Sequence, residues 1–165
     1  MRQIFLILLF ISYLSTTAFG QFRKPKSYAL IIGVSTYSDP RITPLNYAHV
    51  DAQAFADFCL SPYGLSIPSD QVRTMTNENA SYWNIVDGLD WLKSVAQKDD
   101  QIYFYYAGHG DMESKELKYG YLLAHDSRYM NYLGRSVSLD LLNKTAHTLS
   151  VTKKSKVFLI TDACH

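Results

Sequence analysis

Cysteine is nearly absent from this chain. Cys59 and Cys164 are the two present among 165 residues, which excludes a cysteine-rich scaffold and leaves at most one disulfide. Neither sign of charge dominates: 16 Lys and Arg oppose 15 Asp and Glu, a net of +1. That balance removes the general electrostatic case for binding nucleic acid or an anionic membrane. The sequence has no internal repeat and no linker long enough to divide it, so one domain is expected. Thirteen Tyr and eight Phe argue against disorder.

The one extended apolar run lies at the start. Met1 to Gly20 opens with Arg2, continues through Ile4 to Ile11 and closes on Ala18-Phe19-Gly20. The run is shorter than the roughly 20 residues a transmembrane helix needs. Small residues at positions 18 and 20 fit a signal-peptide cleavage site before Gln21. Residues 1–20 are therefore expected to be a signal peptide, and the mature protein to be exported, periplasmic or extracellular, with no membrane association. Export would permit a Cys59–Cys164 disulfide, which is one alternative to a free Cys164 thiol.

Residues 21–27 read as a basic N-terminal arm, and 28–165 as the domain. Tyr28 to Val34 is a continuous apolar run of the kind found in strands buried on both faces. Ala48, Ala52, Phe55, Ala56 and Cys59 recur at helical spacing, predicting a helix over about 46–60. A short strand is expected over 71–76. A helix capped by Ser81 or Asn79 should follow to about Ala96, with Trp83 and Trp91 as core or groove wall. Gln101 to Ala107 reads as a strand, 112–118 as loop, and 119–123 as a short strand or hairpin arm. Ser138 to Thr148 should form a third helix, with Leu139, Leu142 and Ala146 inward. Ser155 to Thr161 is the last strand. This alternation predicts an α/β layered fold with a mostly parallel sheet flanked by helices.

Two strands run into reactive tips. Phe104 to Ala107 leads to Gly108-His109-Gly110, and Phe158 to Thr161 leads to Asp162-Ala163-Cys164-His165. Sites in open parallel sheets lie beyond the carboxyl ends of strands. A thiol is mostly protonated at neutral pH, and an imidazole beside it can stabilise the thiolate and later protonate a leaving amine. The amides of Gly110 and Cys164 are candidate oxyanion donors. A metal site using Cys164, His165 and His109 has the ligand types but not the spacing.

These stretches resemble the caspase-like cysteine peptidases, in particular the metacaspase and bacterial caspase-homologue branch. Tyr28 to Val34 is similar to the opening strand, Tyr105 to Gly110 to the histidine motif, and Thr161 to His165 to the nucleophile motif. The 55-residue separation of His109 and Cys164 is near the caspase value of about 50. The resemblance implies a caspase-like fold with His109 as general base, Cys164 as nucleophile and Gly110 as an oxyanion donor. It also implies that Asp162 and Asp51 line a pocket for Arg or Lys at the cleaved bond. Val50 stands where the family usually has Asn. Arg41 keeps open the acidic preference of caspases proper.

Peptide or protein substrates are implied, and no cofactor. Calcium dependence is known in the branch, but Asp111, Glu113, Glu116 and Asp126 lack convincing ligand spacing. Relatives continue beyond the nucleophile strand. The resemblance therefore implies a truncated large-subunit region that associates with a C-terminal small-subunit region. A catalytically silent interaction module is the alternative function.

Overall fold

The structure is a computed structural model and describes residues 23–112 and 119–163. The signal-peptide reading, Glu113, Glu116, most of the expected 112–118 loop, Cys164 and His165 lie outside the described residues.

Four strands form a parallel sheet: β1 (Ser27–Gly33), β2 (Val72–Thr76), β3 (Gln101–Ala107) and β7 (Lys156–Asp162), in the spatial order β2-β1-β3-β7. Side chains alternate across a strand, and here both faces are covered. Ala29 and Ile31 face helix α1 (Ala48–Leu60), which packs through Ala48, Ala52, Ala56 and Cys59. Leu30, Ile32, Phe104 and Tyr106 face the opposite layer. That layer comprises α2 (Tyr82–Val95), contributing Ile85, Leu89 and Leu92, and α3 (Leu139–His147), contributing Leu142. The apolar run Tyr28–Ile32 is consequently buried throughout.

The small side chains of α1 let it press close to the sheet. A Cβ added to Gly33 would stand 2.5 Å from both the Ala48 carbonyl oxygen and the Ala52 Cβ. The carboxyl end of β1 therefore abuts the first turn of α1, which carries Asp51. Ser81 caps α2 by accepting the Asn84 N–H, and Ser138 caps α3 by accepting the Leu141 N–H.

Three details differ from expectation. Beyond β3, a second sheet of three short antiparallel strands forms: β4 (Gly110–Met112), β5 (Gly120–Leu123) and β6 (Ser136–Ser138). Trp83 is exposed, its ring against Tyr82, whereas Trp91 meets Tyr28 edge-on and lies under Arg73. Eight positions are about 800° of helix, 80° beyond two turns, enough to carry the two rings to different surroundings. Leu139 is exposed at the start of α3 and leans on Gly120, instead of facing the core with Leu142.

Candidate active site

The β3–β7 register decides which sequence motifs meet. Ala107 pairs with Asp162, and the Gly108 N–H donates to the Asp162 carbonyl at 3.1 Å. The histidine motif and the stretch leading to Cys164 thus leave the same end of adjacent parallel strands. His109 follows Ala107 by two residues, as Cys164 follows Asp162 by two.

Gly108 is required by close approach. A Cβ there would stand 2.5 Å from the Tyr106 hydroxyl and 2.8 Å from its ring carbon. Tyr106 is fully buried and its hydroxyl lies 2.8 Å from the carbonyls of both His109 and Leu123, sharing one proton between them. Burial drives that phenol well above its ordinary pKa, so it remains a donor.

Further bonds fix His109. Its N–H donates to the Tyr37 hydroxyl at 3.0 Å, and its carbonyl also accepts the Leu123 N–H at 2.9 Å. The Tyr37 ring lies against the imidazole, centroids 5.4 Å apart. The imidazole Nε2 lies 2.8 Å from the Thr43 carbonyl oxygen. A carbonyl can only accept, so the proton in this bond belongs to Nε2. In the neutral ring, Nδ1 is then left with the lone pair, which is the state a general base needs.

Thr43 sits in the loop between β1 and α1, which is tied down along its length. The Asn77 side chain accepts the Ser35 and Thr36 N–H groups, and Ser38 donates to the His125 carbonyl. Leu45 donates to the Ser35 carbonyl, and the buried Ser35 hydroxyl accepts the His49 N–H in the first turn of α1. His49 and His125, for which the sequence suggests no partner, thereby act as loop anchors: their Nδ1 atoms meet Ser35 Oγ at 2.7 Å and the Thr36 carbonyl at 2.7 Å.

Asp51, Asp162 and His109 line one pocket of about 430 Å3, with Leu45, Tyr47, Ala107 and Gly108 among its other walls. Asp51 reaches it from the first turn of α1, and Asp162 from the end of β7. Both carboxylates are exposed. The stacked pair Phe55 and Tyr105 lies beneath, and the Tyr105 phenol is raised by burial and then by the charges of Asp51 and Asp162. Two carboxylates and an imidazole around one cavity suit a cationic guest in charge-assisted hydrogen bonds.

Gly110 opens β4, opposite Leu122. Because Leu123 donates to the His109 carbonyl, Gly110 occupies a non-hydrogen-bonded position of the antiparallel ladder, with its N–H turned away from β5. A Cβ on Gly110 would meet the Ala163 Cβ at 3.5 Å, so this backbone runs beside the residue preceding Cys164.

The other thiol is elsewhere. Cys59 is free and fully buried on the sheet-facing side of α1, near Tyr103, and burial pushes its pKa up to about 11. Tyr103 is four residues down β3 from Ala107, about 13 Å at the usual strand rise. Disulfides need Cα atoms within about 7 Å. Among the described residues, no group of three or more His, Cys, Asp or Glu could hold a metal ion. Asp111 accepts the Tyr132 hydroxyl, and Asp126 accepts the Tyr82 N–H. Arg41 pairs with Asp39 at 2.6 Å and does not line the pocket of Asp51 and Asp162. No helix among the described residues is long and apolar enough to cross a membrane.

No curated protein matches this chain. It is similar in fold to a protein from Geobacter sulfurreducens, GSU0716, known from a crystal structure, with a TM-score of 0.68 and 19% identity. The likeness covers 86% of this chain and 51% of that one, so this chain spans about half the length of that protein. A family model described as the caspase domain matches residues 26–165, from just before β1 to beyond the end of β7, and the chain belongs to the caspase-domain family.

Proposed function

We propose that the chain is the catalytic large-subunit region of an exported cysteine endopeptidase that cleaves peptide bonds after Arg or Lys. The observation that carries this reading is the pocket shared by His109, Asp51 and Asp162. It combines a candidate base with two carboxylates, one of them on the strand end that leads to Cys164.

The steps follow from the chemistry of these groups. His109 Nδ1 takes the Cys164 thiol proton, and the thiolate attacks the carbonyl carbon of the scissile bond. The resulting oxyanion accepts hydrogen bonds from the Gly110 and Cys164 amides. Collapse breaks the C–N bond, the imidazolium gives its proton to the leaving amine, and a thioester remains. Water, deprotonated by His109, hydrolyses it and restores the thiol. The Thr43 carbonyl holds the imidazole orientation and favours the imidazolium while it exists. Asp51 and Asp162 bind the guanidinium or ammonium of the residue on the acyl side.

The test is cleavage of fluorogenic peptides ending in Arg, Lys or Asp by the full mature protein and its Cys164→Ala variant, with and without calcium. Cleavage after Arg or Lys, abolished in the variant, is the expected result. Cleavage after Asp would retain the nucleophile and remove the assignment of Asp51 and Asp162. Absence of cleavage under reducing conditions would point to an interaction module.

A further inference from the structure

His109 forms the wall of two recesses. Besides the acidic pocket, it borders a second cavity of about 210 Å3, closed by Ile42, Leu123, Tyr129, Tyr132, Arg41 and Asp111. His109 must reach the leaving amine, so the residue after the cut has to lie against the imidazole. With the acyl-side residue in the acidic pocket, this second cavity is a further recess beside His109, among the described residues, in which the residue after the cut can lie. We infer that it is the leaving-group subsite and that it selects one uncharged aliphatic or aromatic side chain immediately after the cleaved bond. This inference rests on the proposed peptidase activity.

Size is the first argument. Drug-sized ligands occupy cavities of about 300–1,000 Å3, so a smaller recess suits a single side chain. Its walls are the second. Ile42, Leu123 and Tyr132 are buried and pack together with Tyr121, while Tyr129 adds a half-exposed ring. The third is that both charges on its rim are already partnered. Arg41 makes two side-chain bonds to Asp39, of 2.9 and 2.6 Å, and lies 5.7 Å from the Tyr129 ring centroid. Asp111 accepts the Tyr132 hydroxyl at 2.5 Å and the Met112 N–H at 2.7 Å. Each sign of guest meets a like charge on the rim, Arg41 or Asp111, while the opposite charge is already engaged, Asp111 by the Tyr132 hydroxyl and the Met112 N–H and Arg41 by Asp39. Discrimination against both signs follows.

The experiment uses the full mature protein and internally quenched peptides that share Arg at the cleaved bond and differ only in the next residue: Leu, Phe, Gly, Lys or Asp. The expected kcat/KM for Leu and Phe exceeds that for Lys and Asp by about tenfold or more, the scale on which a shaped apolar pocket discriminates. Tyr129→Ala should bring the Leu-to-Gly ratio towards one. Asp39→Asn, which releases Arg41, should raise kcat/KM for Asp relative to Leu. Cleavage indifferent to the varied residue, or faster with Lys or Asp in the unaltered protein, would overturn the subsite and leave the peptidase standing. Failure to cleave any member would overturn both.

Discussion

Tyr37 touches His109 twice, through its hydroxyl and through its ring. The same hydroxyl donates to the Val34 carbonyl at 3.1 Å, so it links the end of β1 to the histidine backbone. Tyr37→Phe keeps the ring and removes the link. We expect kcat to fall roughly ten- to a hundredfold with KM little changed, because a misplaced base impairs the reaction more than the binding. The pH–rate profile should move with it, while unfolding free energy should fall by only about 1 kcal/mol. A variant that loses stability without a change in kcat would make Tyr37 purely structural. This contact is hard to read in a sequence, because Tyr37 lies 72 positions from its partner. His109 stood out as a reactive side chain at the tip of a strand, whereas Asp51 and Asp162 were named only through the resemblance to the caspase-like peptidases. The Thr43 carbonyl was not legible, since every residue owns a carbonyl and motif reading sees side chains.

Among the elements, the arm and the sheet meet at a buried carboxylate. Asp100, fully buried just before β3, accepts two bonds from Arg23, of 2.7 and 2.8 Å, and the N–H groups of Lys26 and Gln97. Burial alone would raise its pKa, but these donors outweigh it and hold the carboxyl below its ordinary value. A carboxyl depressed in the folded state stabilises the protein above its unfolded pKa of about 4, and that contribution disappears as the pH falls through the folded value. Asp100→Asn should therefore cost about 2 kcal/mol at neutral pH. Thermal denaturation from pH 7 to pH 3 should show a shallower acid loss in the variant than in the parent; parallel curves would remove Asp100 from the account. The long elements were legible through periodicity: apolar runs for β1 and β3, and a small-residue stripe for α1. The second sheet was not, because β4 and β6 have only three residues each, too few for alternation to register.

At the scale of the whole molecule, one border of the main sheet keeps a run of apolar side chains exposed. Within the described sheet β7 is an edge strand, and Phe158, Leu159 and Ile160 remain 42, 42 and 37% exposed, although the Phe158 ring stacks on Tyr103. An open apolar edge promotes association. Residues 21–165 alone should therefore self-associate with rising concentration and bind a hydrophobic dye. Leu159→Lys should reduce both, measured by light scattering and dye fluorescence; equal scattering in the two proteins would refute the role of this edge. The layered α/β class and its mostly parallel sheet were legible from the alternation of strands and helices. Periodicity by itself does not mark β7 as an edge, because an apolar run looks the same whether one neighbour covers it or two.

The tether on the His109 ring is a main-chain oxygen, and that has a consequence for genetics. Any residue at position 43 supplies it, so a saturation library would score that site as permissive while the imidazole still depended on it. Only chemistry on the backbone can expose the dependency. The next residue is Pro44, whose ring nitrogen has no N–H, so replacing the Thr43 carbonyl oxygen by sulfur, as a thioamide introduced by semisynthesis, sacrifices no donor and mainly weakens the acceptor. A drop in turnover in that single-atom analogue, beside a silent library, would reveal a participant that codon changes cannot delete.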